Sequence, residues 1–124
     1  MRYDPGENRR KHHWSKPEAG FNRVGTAMVG KCSSKITMEI AQELLSSSLP
    51  YLNNEGPAQR VYNVFDGVIY EAVSSGDEAW HGYPWRSRPG RSSLPKDLMK
   101  ELERRAAEQK CLREYKEWVK TYGN

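Results

Sequence analysis

Residues 61–73 read VYNVFDGVIYEAV. Two runs of β-branched and aromatic residues flank Asp66-Gly67, a pair suited to the left-handed backbone of a two-residue type I′ turn. The segment is expected to be a β-hairpin in which Phe65 opposes Val68, Asn63 opposes Tyr70 and Val61 opposes Ala72. The alternate positions carry Tyr62, Val64, Ile69 and Val73, and only Glu71 among them is charged. A hairpin this apolar on both faces belongs in the middle of a sheet that is covered from both sides. Glu71 is the odd residue of that arrangement.

Upstream, SSKITMEIAQELLSS (33–47) repeats Ile36, Ile40, Leu44 and Leu45 at helical spacing. Ser34 or Thr37 can cap such a helix, Glu39 suits its positive end, and Ser46 to Ser48 followed by Pro50 ends it. FNRVGTAMVGKC (21–32) places short apolar pieces around Gly25 and Gly30 and reads as one or two short strands with turns. Residues 1–20 mix Pro5, Gly6, Pro17 and Gly20 with five basic residues and show no periodicity, the pattern of a flexible basic N-terminal arm. Residues 21–124 are then a single globular domain.

Downstream, DEAWHGYPWRSRPGRSSLP (77–95) reads as a long connection broken by Gly82, Pro84, Pro89 and Gly90. Trp80, Tyr83 and Trp85 argue that it is partly packed down. Pro95 can start the last segment, where Leu98, Leu102 and Ala106 share one helical face. Cys111, Tyr115, Trp118 and Tyr122 form a second stripe out of phase with the first, so either one helix twists its stripe or two helices meet near Gln109. The expected fold class is α+β. It consists of a small antiparallel sheet centred on the 61–73 β-hairpin, packed by one mid-chain helix and a C-terminal helix or helix pair.

Charge is unevenly placed along the 124 residues, whose net value is +4. Residues 1–36 carry eight Lys/Arg against three acids and residues 79–124 carry eleven against six, whereas residues 37–78 hold seven acids and the single basic residue Arg60. A polarised molecule of this kind suits a polyanion or an acidic protein surface. No apolar run approaches the roughly 18 residues of a membrane span, and the start lacks a secretory pattern, so no membrane role and a cytoplasmic location are expected. Cys32 and Cys111 are expected as reduced thiols. No metal and no cofactor is expected, since His12, His13 and His81 make no zinc spacing and nucleotide or protease motifs are missing. The partial match G-x-x-x-x-G-K at Gly25, Gly30 and Lys31 continues with Cys32, which cannot replace the magnesium-binding hydroxyl of a phosphate loop.

The functional reading rests on Trp80, His81, Tyr83, Trp85, Arg86, Arg88 and Arg91, a stretch without an acid. Aromatic faces stack on unpaired bases and guanidinium groups clamp phosphate. Set against this, tryptophans in a loop often pin it to a core while arginines stay solvated. Arg9, Arg10 and Lys11 add a second basic cluster that can follow a phosphate backbone or simply stay in water. The preferred function is a small non-enzymatic binding module that engages nucleic acid or an acidic protein partner through a basic aromatic loop at 80–91, with a homo-oligomer also possible. The alternative is a metal-independent, ribonuclease-like enzyme in which Glu71 and His81 move protons and Arg86 stabilises phosphate charge. It requires those three residues to converge in one cleft.

Overall fold

The computed structural model describes residues 1–4, 15–50, 60–88 and 94–123. The expected hairpin forms from β5 (Arg60–Phe65) and β6 (Val68–Gly76), and Phe65↔Val68, Asn63↔Tyr70 and Val61↔Ala72 pair as the turn chemistry requires. Asp66 and Gly67 take φ of 53° and 82°, the left-handed values of a type I′ turn. At Gly67 a side chain is also excluded by contact, because a Cβ there would stand 2.4 Å from that of Glu114. The turn is thereby seated on the last helix.

Among the described residues five strands build the main sheet, in the order β1-β7-β6-β5-β4. Strand β7 (Ala79–Pro84) pairs antiparallel with β6, and β4 (Leu49–Pro50) pairs with β5 on the other side, so the hairpin is central. The edge strand β1 (Arg2–Tyr3) runs parallel to β7 and makes the sheet mixed. It lies within the segment read as an arm; residues 5–14, including Arg9, Arg10 and Lys11, fall outside the described residues. A separate hairpin, β2 (Gly20–Val24) and β3 (Ala27–Lys31), turns at Gly25, whose φ is 62°.

Residues 79–84 differ from expectation, for they form a strand and not part of a loop. The sequence offers no Asp-Gly or Asn-Gly before them. The turn is made instead by Asp77 and Glu78 at φ of 50° and 60°, a conformation that non-glycine residues seldom adopt. A register shift between Ser74 and Gly76 precedes it, which breaks the regular alternation. Pro84 is tolerated because it ends the strand.

The two faces of the sheet are covered by different helices. Helix α1 (Met38–Ser46) packs Leu45 on Val61 and Trp80, and its first amides are capped by Thr37, whose side chain accepts from the Ile40 amide at 3.1 Å. On the opposite face Tyr62, Val64 and Ile69 meet Leu98, Leu102 and Ala106 of α2 (Lys96–Glu108). The C-terminal segment does divide. Helix α3 (Leu112–Tyr122) starts after a turn in which Lys110 takes φ of 62°, and the break brings Tyr115 and Trp118 onto the same core. Arg105 of α2 reaches the Ser47 carbonyl at 2.6 Å and Asn63 Oδ1 at 3.2 Å, which ties α2 to the end of α1 around the sheet edge. The fold is α+β and, among the described residues, has three helices, one mid-chain and two C-terminal.

Candidate functional site

Glu71 occupies the middle strand and is only 1% exposed. Its cross-strand neighbours are Tyr62 on β5 and Tyr83 on β7. Tyr62 Oη donates to Oε2 and Tyr83 Oη donates to Oε1, each at 2.5 Å, so both carboxylate oxygens are engaged and three strands are joined through one side chain. A buried carboxylate without donors would be costly, and hydrogen bonds to an ionised acceptor are among the stronger ones in a protein.

His81 pairs with Val73 and so shares the face of Tyr83 and Glu71, one diagonal step from the carboxylate. Its Nδ1 is 2.7 Å from the Asp4 carbonyl oxygen. A carbonyl oxygen can only accept, so Nδ1 carries the proton, and in the neutral ring Nε2 is the basic nitrogen. Asp4 is held in place for this by its own amide, which donates to the Trp80 carbonyl at 2.8 Å. Arg60, opposite Val73, is an exposed cation on the same face that sequence reasoning passed over. The hairpin register, extended by one residue, would have found it.

The remaining sequence candidates are dispersed. Trp80 is 8% exposed beneath α1 and Trp85 is 5% exposed in the main core, where its carbonyl accepts from Trp118 Nε1 at 3.2 Å. Both rings are spent on packing. The Arg86 guanidinium lies over the Phe21 ring, 5.5 Å from its centroid, and Phe21 stacks on Trp118 at 5.8 Å. Arg86 thus joins the aromatic cluster of β2 and α3, and its Nε is buried with no hydrogen-bond partner among the described residues. Arg88 is exposed, and Arg91 lies outside the described residues.

A second polar region lies on the C-terminal helices. The turn at 109–111 folds α2 and α3 into a helical hairpin, so the start of α2 lies beside the end of α3. Between them runs a groove of about 530 Å³ whose rims carry Lys96 and Lys100 from α2 and Lys116 and Lys120 from α3. Each pair is spaced i, i+4 and therefore falls on one helical face. The floor is apolar, with half-buried Met99 and Val119 above Leu94 and Tyr115. Tyr115 Oη donates to the Met99 carbonyl at 3.1 Å, and burial, with Glu103 nearby, pushes its pKa up to about 12.

None of the four lysines forms an ion pair among the described residues, and Glu103 is the one acid lining the groove. The arginines on the same helices differ. Arg104 pairs with Glu101 and Glu108, Arg105 with Glu101, and Arg113 with Glu117. The opposite flank of α3 borders an acidic depression of about 470 Å³ with Glu18, Asp66, Glu114 and Glu117, where Lys35 pairs with Asp66 at 3.3 Å.

Other chemistries have little support in this geometry. A cavity between α1 and the sheet, lined by Leu45, Val61 and Cys32, measures about 50 Å³, far below the several hundred Å³ that enclose a small-molecule ligand. Among the described residues no group of three or more His, Cys, Asp or Glu side chains could hold a metal, and no helix is long and apolar enough to cross a membrane. Cys32 and Cys111 are buried free thiols. No protein-family model matches the chain, and neither a curated protein nor a solved structure matches it.

Proposed function

We propose that the protein is a non-enzymatic binding module that engages an anionic macromolecule through its basic surface. The observation that carries this reading is the groove between α2 and α3, where four lysines that form no ion pair among the described residues rim an apolar floor, with Glu103 also in the lining. Like charges at i, i+4 on a helix oppose folding by a few tenths of a kcal/mol per pair, a cost that a bound anion would relieve. Exposed Arg88 and the sequence's Arg91, Arg9, Arg10 and Lys11 add to the positive charge that would attract such a partner. The free thiols fit a reducing compartment, and the cytoplasm is the proposed location.

Fluorescence anisotropy with labelled single-stranded RNA and with labelled polyglutamate tests the reading. At low ionic strength at least one of the two should bind with an affinity that weakens steeply as salt rises. Binding of neither contradicts it.

The ribonuclease-like reading is favoured by one observation, the Nδ1–H donated to the Asp4 carbonyl, which leaves His81 Nε2 as a base on the sheet face of Glu71. Both carboxylate oxygens of Glu71 are already engaged, and Arg86 is held by Phe21, so we place this reading second. It requires cleavage of labelled RNA in EDTA by the wild type and its loss in His81→Ala.

A further inference from the structure

The chemistry of the groove distinguishes between the two classes of anionic partner. Nucleic acid is gripped by stacking on exposed aromatic rings and by the planar fork of arginine, and neither is offered here. Tyr115 is 4% exposed with its hydroxyl committed to Met99, Trp80 and Trp85 are buried, and Arg104, Arg105 and Arg113 of α2 and α3 are paired with glutamates. What the groove does offer is an apolar strip with two rims of cations. The Lys96/Lys100 and Lys116/Lys120 pairs repeat once per helical turn, about 5 to 6 Å apart at Cβ, which is the spacing of carboxylates at i, i+4 on a partner helix. Met99 and Val119 lie between the rims, where the apolar face of that helix would sit.

We propose that the α2–α3 groove docks an acidic amphipathic segment of a protein partner. Its apolar face covers Met99 and Val119, and its carboxylates meet Lys96, Lys100, Lys116 and Lys120. This rests on the anionic-partner reading above and narrows it to protein. Lysines suit such a role because their flexible stems lie along the apolar strip while the ammonium groups reach outward.

The test compares three labelled probes on the full chain. They are a peptide of about 16 residues, four helical turns, with Leu on one face and Glu on the other; the same composition scrambled to destroy the face; and single-stranded RNA. The ordered peptide is expected to bind at least about tenfold more tightly than the scrambled one, and Lys100→Glu with Lys116→Glu is expected to abolish that binding while circular dichroism stays unchanged. Met99→Gln, which keeps both rims, is expected to weaken the ordered peptide severalfold and to spare the scrambled one. Equal binding of ordered and scrambled peptides overturns the docking proposal and leaves the anionic-partner reading intact. Tighter binding of RNA than of the ordered peptide, lost in the lysine double variant, does the same and assigns the groove to nucleic acid. Binding of none of the three overturns both.

Discussion

Glu71 is enclosed at the centre of the sheet with a phenol on each carboxylate oxygen, whereas Lys96, Lys100, Lys116 and Lys120 rim an open groove with no ion pair among the described residues. The first region spends its polar atoms on one another, and its effect is to lock β5, β6 and β7 together. The second leaves its charges toward solvent, where like charges at i, i+4 slightly oppose the fold. A polar group that is buried and satisfied acts on stability, while one that is exposed and uncompensated is free to act on a partner. Substitutions in the two regions should therefore separate cleanly, with large stability effects in one and binding effects in the other.

The largest stability loss is expected for Glu71→Ala, which takes the carboxylate acceptor from the buried Tyr62 phenol and the half-buried Tyr83 phenol and should cost about 2 to 4 kcal/mol in urea unfolding. A loss below about 1 kcal/mol would break the comparison, because the carboxylate would then not be tying the strands. Tyr62→Phe and Tyr83→Phe should each cost about 1 to 2 kcal/mol, and the double variant should depart from the sum of the two, since both donors serve the same carboxylate. Additive losses would mean that the two hydrogen bonds act independently.

Alkaline pH probes the fold without mutation. Burial pushes the Cys32 thiol up to about 12 from 9.0, and it pushes Tyr3 and Tyr115 up to about 12 from 10.0. In each case the folded state favours the neutral form and the unfolded chain gives up its proton first. The stabilisation is complete below the unfolded value and is lost as pH rises toward the folded one. The melting temperature is expected to hold up to about pH 9 and then to fall progressively toward about pH 12. Unchanged melting across that window would show that these groups ionise as freely in the fold as outside it. The smallest stability effect is expected for Lys100→Glu with Lys116→Glu. Reversing two exposed charges turns each like-charged i, i+4 pair into an opposite-charged one, which should leave unfolding within about 0.5 kcal/mol of wild type, or slightly stabilise it.

What could be read from residues alone divides along the same physical lines. The 61–73 hairpin was legible to the residue because Asp66-Gly67 names its turn and the turn sets the register. The mid-chain helix was legible from its period and from Thr37, whereas the phase jump between Ala106 and Cys111 marked a place where the C-terminal segment could divide without deciding between one helix and two. Strand β7 was hidden because Asp77 and Glu78 make a tight turn with residues that rarely do so, and because Gly82 and Pro84 imitate a loop. That one misreading left Trp80 and Trp85 among the binding candidates, whereas the structure buries both in the core. Every lysine of the groove was visible in the sequence, yet which cations lack a partner depends on the helical hairpin that sets residues 96 and 100 beside 116 and 120. Distant pairs of this kind leave no local signature.

The most direct test of the central claim is a nuclear magnetic resonance titration of the isotope-labelled protein with the acidic amphipathic peptide. Shift changes are expected to centre on Lys96, Met99, Lys100, Lys116, Val119 and Lys120, with the sheet around Glu71 undisturbed. Changes centred instead on β7 and Arg86 to Arg88, with the α2–α3 groove silent, would contradict the claim and return the binding surface to the aromatic and basic segment.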